Sequence, residues 1–210
     1  GASFEPSLSV VSLDIETSIT NGTILSIAVD SNDVRKVFMV GKLRPSSLPY
    51  LEFIEDETTL LQRFMVWFAA LDPDVIIGWS VVGFDLRFLQ KRADALGLKF
   101  NIGRGMSPVS WRFLDQGQQR FYAVVPGRVV LDGIELLKTA TYSFESFSLE
   151  NVSRKLLGRG KLVHDVDSRA AEIEDMHRTD QESLAGYNLE DCTLVLDIFK
   201  QTSLIDFAIR

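Results

Sequence analysis

Three Val- and Ile-rich runs restrict the fold most: Leu8 to Leu13, Ile24 to Val29 and Val34 to Val40, separated by the turn-forming stretches "TSITNG" and "DSND". β-branched side chains suit a pleated, half-buried surface, and connections this short leave no room for a crossover helix. Three consecutive strands in a meander are therefore expected. Asp56 can then cap a helix with Leu60, Leu61, Phe64, Met65, Phe68 and Leu71 along one face, closed by Asp72-Pro73.

Further along, "DVIIGW" (74–79) reads as a short buried strand. "FDLRFLQKRADALG" (84–97) reads as a helix turning Phe88, Leu89, Ala93 and Leu96 inward, with Gly97 as its stop. Residues 101–120 show no period and read as a long surface loop or insertion. "RFYAVVPGRVVLD" reads as two strands joined at Pro126-Gly127. Helical patterns return at 133–140, 148–157 and 180–201. The sum is an α/β chain, a mixed sheet with helices around it.

Composition narrows the class. With 46% hydrophobic and 24% charged residues among 210, the chain has the profile of a folded domain, not a disordered one. No linker-like tract divides it, so residues 1–210 are expected to form one domain, with 1–7 as linker or boundary residues. The longest apolar run, Phe64 to Leu71, is far short of the roughly 20 residues that span a bilayer, and no basic-then-apolar leader opens the chain. One cysteine, Cys192, excludes an internal disulfide and reads as a small buried residue. The net charge of −7 gives no global attraction to nucleic acid, so any such role needs metal ions or another domain.

The acids carry the chemistry. Side chains two apart on a strand share a face, so Asp14 and Glu16 in "SVVSLDIETS" point the same way at the end of the first strand. Two adjacent carboxylates repel, and a hard divalent cation between them is one resolution; a strand end followed by a solvated turn is the other. Asp85 lies in the first turn of its helix, in register with Phe88, Leu89 and Leu96, either as a dipole-favoured acid or as an inward ligand. Tyr187 and Asp191 in "GYNLEDC" are four apart on a late helix, on the stripe continued by Val195 and Ile198. An acid on a core-facing stripe calls for a partner or a metal.

The order strand D-x-E, strand-to-helix F-D, late-helix Y-x-x-x-D resembles the DEDD superfamily of 3′-5′ exonucleases, tyrosine subclass, with its ribonuclease H-like fold. "SLDIETS", "IIGWSVVGFDLRFLQKRA", "GRVVLDGIELLK", "SFSLENVSRKLLGRGK" and "YNLEDCTLVLDIF" are similar to the exonuclease domain of family B DNA polymerases, most closely its bacterial branch. The match runs from about residue 8 to residue 205 and is weakest over 101–118 and 162–180. The resemblance implies a ribonuclease H-like mixed sheet with a three-strand meander, flanking helices and a β-hairpin insertion. It also implies metal-dependent removal of 3′-terminal nucleotides from single-stranded or frayed DNA ends.

By the same resemblance, two Mg²⁺ or Mn²⁺ ions would be held by Asp14, Glu16, Asp85 and Asp191, with Asp14 bridging and Asp85 acting largely through water. Tyr187 would orient the attacking water. Thr17, Ser80, Phe84, Ser148 and Leu149 match positions beside the single strand, although Phe84 and Leu149 could equally be core. Asp132 matches an acid common in the family, as well explained by structure as by catalysis. Ser80 departs from the usual Asn of "GWN", which implies reduced or retuned activity. Lys161 and His164 read as surface residues, and His177 carries no signal. The implied partners are a single-stranded DNA 3′ end and a polymerase domain of the same natural polypeptide, with no membrane. The implied state is a monomeric isolated domain in the cytoplasm, at the nucleoid. Two other readings stay open: a catalytically weakened single-strand-binding or structural module, and an RNA-directed exonuclease of the same superfamily.

Overall fold

In the computed structural model, which describes residues 7–115, 117, 119–160 and 168–210, the meander forms as expected. Strands β1 (Val10–Thr17), β2 (Ile24–Asp30) and β3 (Arg35–Val40) pair antiparallel in sequence order. Strand β4 (Leu51–Ile54) adds parallel to β3. Its four residues, flanked by Pro49 and Asp56, are too short for a periodic signal, and the sequence reading misses it. On the other side of β1 lie β5 (Val75–Gly78) and β8 (Val129–Asp132), both parallel to it, giving the order β4-β3-β2-β1-β5-β8.

Helix α1 (Glu57–Leu71) starts where expected: the Asp56 carboxylate accepts from the Thr59 N–H at 2.8 Å. It buries Leu60, Leu61, Phe64, Met65 and Phe68 and ends at Asp72 in the left-handed conformation. The expected helix over 84–97 begins instead as a π-helical turn, Val81–Leu86, continuing into α2 (Arg87–Ala95). α1 and α2 cover one face of the sheet, packing on Val11, Leu13 and Ile15 of β1.

The remaining helices are α3 (Gly133–Thr139), α4 (Leu149–Leu157), α5 (Arg169–Thr179), α6 (Gln181–Thr202) and α7 (Leu204–Ile209). α5 and α6 pack on Leu25, Ala28, Val37 and Met39, and α3, α4 and α6 on Val75 and Ile77. α5 falls in the stretch left without an element by the sequence reading. Only Ile173 of its residues is buried, so it has no apolar stripe to betray it.

Residues 120–132 hold the two expected strands, one on each side of Pro126-Gly127, but in different sheets. One expectation is corrected: the stretch 101–120 is not all surface loop. The hairpin pairs β6 (Ser110–Asp115) with β7 (Gln119–Val124) in a separate two-stranded sheet, so half of it lies in the stretch read as loop. Trp111 aside, β6 is exposed along its length, which removes the alternation that marks a half-buried strand. The Pro126-Gly127 bend, with Gly127 at φ 73°, instead delivers the chain from the hairpin into the central sheet. The adjacent Arg128 has a side chain only 1% exposed, which donates to Ile102 O and Asp72 Oδ1, both at 2.9 Å, and to Pro73 O, tying this bend to the end of α1.

Among the described residues, no helix is long and apolar enough to cross a membrane. Lys161 and His164 lie outside the described residues.

Candidate active site

Parallel strands present their carboxyl ends at one edge of a sheet, the place where open α/β sheets bind ligands. Here that edge collects Asp14, Glu16 and Thr17 at the end of β1, Trp79 and Ser80 after β5, and Asp132 at the end of β8. Pairing of β1 with β5 stops at Ser12–Ile77, and the chain after β5 turns back sharply. Gly78 makes that turn possible, because a Cβ there would stand 2.5 Å from the Val81 Cβ. The π-turn then carries Asp85 to the vacated edge of β1, where its Oδ1 accepts from the Ile15 N–H at 3.0 Å. π-turns recur at functional sites, and this one places an acid at the sheet edge.

On the face of β1 opposite Leu13 and Ile15, Asp14 and Glu16 look toward α6. Ligand oxygens of Asp14, Glu16 and Asp191 all lie within 4.8 Å of one another. Three hard oxygen donors this close suit Mg²⁺ or Mn²⁺, so the donor set fits the metal that the resemblance implies. Asp85 stands outside this group of three, yet lines the same cleft. Glu16, Asp85 and Asp191 are all nearly buried, at 4%, 2% and 2% exposure.

Burial, then the charges of Asp14 and Glu16, push the Asp85 carboxyl well above the ordinary carboxylate range. Burial and the neighbouring charges of Asp191 and Glu16 likewise raise the Tyr187 hydroxyl, which therefore stays protonated at neutral pH. Tyr187 lies one helical turn before Asp191, 1% exposed.

The cleft has a volume of about 500 Å³. All five residues expected beside substrate line it: Thr17, Ser80, Phe84, Ser148 and Leu149. Their surroundings differ. Phe84 is 47% exposed, its ring 5.8 Å from that of Phe88, whereas Leu149 is 8% exposed and part of the core under α4. The Ser148 hydroxyl accepts from the Asn151 N–H and caps α4. Ser80 holds φ 56° and ψ 35°, the left-handed region. Asn is among the residues most tolerant of that region. The usual Asn at this position is thus favoured by the backbone as well as by its reach.

Asp132 caps α3 through the Ile134 and Glu135 N–H groups and accepts from the Val81 N–H at 2.8 Å, fastening the π-turn to β8. Cys192 is buried, with its thiol on Ala28 O. His177 Nε2 donates to Val40 O at 2.7 Å, holding α5 to the sheet away from the acids.

Two residues escaped the sequence reading. Asn188, fully buried, donates to Asp14 Oδ2 at 2.7 Å and accepts from Ser26 Oγ at 2.6 Å. A polar residue directly after Tyr187, on a helix packed against the sheet, was the signal available. Arg169 opens α5, with Nη2 3.4 Å from Asp191 Oδ2 and its guanidinium 5.6 Å from the centre of the Tyr187 ring. Nothing in the weakly patterned stretch around it singles it out.

The edge thus gathers carboxylates from β1, the π-turn and α6 into one cleft that could hold a divalent metal ion. The profile of the family B DNA polymerase exonuclease domain matches residues 2–152, and the chain belongs to that family. It is 42% identical to DNA polymerase II of Escherichia coli strain K12 over 99% of its own length and 27% of the relative's. It is 29% identical to a DNA polymerase of Thermococcus gorgonarius over 92% of its length and 25% of the relative's. The chain thus spans about a quarter of these relatives. The match to polymerase II extends through Tyr187 and Asp191, beyond the end of the family profile.

Proposed function

We propose that this domain is a divalent-metal-dependent 3′-5′ exodeoxyribonuclease that trims single-stranded or frayed DNA ends, the proofreading part of a longer polymerase chain. The grouping of Asp14, Glu16 and Asp191 within 4.8 Å, on a family B exonuclease domain, carries this reading. In it, Asp14, Glu16, Asp85 and Asp191 would hold the divalent ions, Asp85 largely through water. When bound, Mg²⁺ or Mn²⁺ supplies a hydroxide-forming site and charge neutralisation at the leaving 3′ oxygen.

The protein's own groups do the rest. Tyr187, held protonated, donates a hydrogen bond that orients the attacking water and does not act as base. The face of Phe84 offers a stacking surface for a terminal base, while Thr17, Ser80 and Ser148 present short polar groups to the strand. The remaining polymerase and DNA are the partners in this reading, the isolated domain being monomeric and acting where the chromosome lies. Its net charge of −7 makes affinity for DNA weak without the rest of the polymerase.

Digestion of a 5′-labelled single-stranded DNA in Mg²⁺ tests it. Stepwise shortening from the 3′ end, reduced in Asp14→Ala and Asp191→Ala by at least the roughly 10–100-fold typical of losing even a group that supports a metal ligand, is the expected result. Undiminished variants would sink the metal assignment. A parent that binds the strand in Mn²⁺ without cutting it would favour the weakened module, and preference for a matched RNA would favour the RNA-directed alternative.

A further inference from the structure

Between α3 and α4 the chain reads "TATYSFESFS" (139–148), an aromatic run set among exposed Ser143, Glu145 and Ser146. Phe147 lines the cleft beside Trp79 and Ser148. Its ring stands 5.3 Å from that of Phe144, edge to face, and the Phe144 ring lies parallel to that of Tyr142 at 6.1 Å. Phe147 and Phe144 are half-buried, whereas Tyr142 is 38% exposed. The three rings thus form one row that starts in the cleft and ends in solvent. Lys138, exposed, places its Nζ 5.1 Å from the centre of the Phe147 ring, so a cation stands beside the row.

The row is held at both ends. α3 closes with the Tyr142 N–H on Leu137 O at 2.9 Å and the Thr141 N–H on Lys138 O at 3.0 Å, the two bonds of a Schellman cap. That cap sets Thr141 at φ 67°, left-handed backbone that glycine adopts freely and a β-branched residue only under strain. Strained backbone of this kind gathers at functional sites, and here it launches Tyr142. At the far end, Trp79 Nε1 donates to Phe147 O at 2.8 Å, and Asn151 Nδ2 to Ser146 O at 2.7 Å. A segment fixed in this way leaves little to be ordered on binding.

We propose that Phe147, Phe144 and Tyr142 form a stacking track for the bases of single-stranded DNA that precede the terminal one, with Lys138 beside a phosphate, a reading that rests on the exonuclease function proposed above. The row is continuous with the cleft that takes the 3′ end, so the strand leaves the acids over Phe147 and runs outward past Phe144 to Tyr142. Every base has a π-face, and aromatic rings therefore grip a strand whatever its sequence, as trimming requires. In a domain of net charge −7, stacking supplies affinity that overall charge does not. Lys138 gives the backbone one local counter-charge along the way.

Two nuclease-resistant, phosphorothioate-linked octanucleotides test the track. They share one charge and the same two 3′-terminal thymidines, and carry either thymine or no base at every earlier position. Affinity in Mg²⁺ is measured for each by fluorescence anisotropy. The parent should prefer the thymine strand. Tyr142→Ala should weaken that strand about 5- to 150-fold, the worth of one lost stack, leave the abasic strand unchanged and melt within a few degrees of the parent. Tyr142→Phe should bind as the parent does, and Phe144→Leu, which keeps an apolar side chain under the segment, should reproduce the loss. Lys138→Gln should weaken both strands alike and lower the slope of log affinity against log salt by about 0.7, the share of one phosphate on a single strand. A parent that binds the two strands equally would show the rings to be a protein-facing surface and overturns the track. So does a Tyr142→Ala variant that weakens both strands equally or weakens neither. An unchanged salt slope in Lys138→Gln overturns the phosphate contact. If the parent digests no ordinary DNA, the exonuclease reading fails, while the pair of affinities still decides whether the rings bind bases.

Discussion

Asn188 is wedged between Ser26 and Asp14, accepting from the one at 2.6 Å and donating to the other at 2.7 Å, with its side chain wholly buried. Both ends of the amide are thereby fixed, and so is the orientation of the Asp14 carboxylate. Partners of this kind to a metal-binding acid are typically worth 10–100-fold in affinity or activity. Asn188→Ala is expected to lower exonuclease turnover by about that factor and stability by about 1–3 kcal/mol, the cost of stranding buried polar groups. Denaturant melts and turnover per folded molecule separate the two effects; a variant that loses stability alone would show that Asn188 only packs.

Periodicity decides which elements show in the sequence. β1, β2, β3, α1 and α6 bury whole faces, so their apolar spacing is visible in one dimension. β4 is too short, α5 buries one residue, and β6 is exposed on both sides, so none of them imposes a pattern. The site behaves similarly. Asp14 with Glu16, and Tyr187 with Asp191, show through spacings of two and four that place side chains on one face. Asn188 and Arg169 reach the same acids through tertiary packing, which no local spacing records.

Ser80 occupies left-handed backbone at φ 56°, where Asn is better tolerated than Ser. Ser80→Asn should therefore raise stability by a few tenths of a kcal/mol, and also raise activity by restoring a longer donor and acceptor at the cleft. Ser80→Gly relieves the same backbone without adding reach. If activity rises equally in both, the backbone alone is responsible. If only Ser80→Asn gains, the side chain acts on the substrate.

Asp85 gives a pH signature in chelator. Its carboxyl, ordinarily near 3.8, is raised in the folded state by burial and by the charges of Asp14 and Glu16. Folding thus disfavours the ionised form, and the metal-free domain loses stability as pH rises above the unfolded value. Asp85→Asn keeps the oxygen that accepts from Ile15 and removes the charge. At pH 7 the metal-free variant should melt a few degrees above the parent, given about 2–4 °C per kcal/mol in a chain of this size. The gap should close as pH approaches 4. Activity in Mg²⁺ should fall despite the added stability. A parent at least as stable as the variant at neutral pH would contradict the like-charge account.

Phe84 and Leu149 line the same cleft but differ in what they rest on. Phe84 leaves 47% of itself in solvent, so removing its ring empties little of the core. Its loss should be felt by the substrate. Stacking of a base on an aromatic ring is worth about 1–3 kcal/mol, which places Phe84→Ala at roughly 5- to 150-fold weaker binding of single-stranded DNA with a small change in melting temperature. Leu149 is 8% exposed and packs with Leu137, Val152 and Leu194, so Leu149→Ala opens a cavity costing about 2–5 kcal/mol. Measured by anisotropy and by denaturant melts on each variant, the two effects should segregate, affinity with Phe84 and stability with Leu149. A destabilised Phe84→Ala with unchanged affinity would return that ring to the core and leave the cleft without its stacking surface.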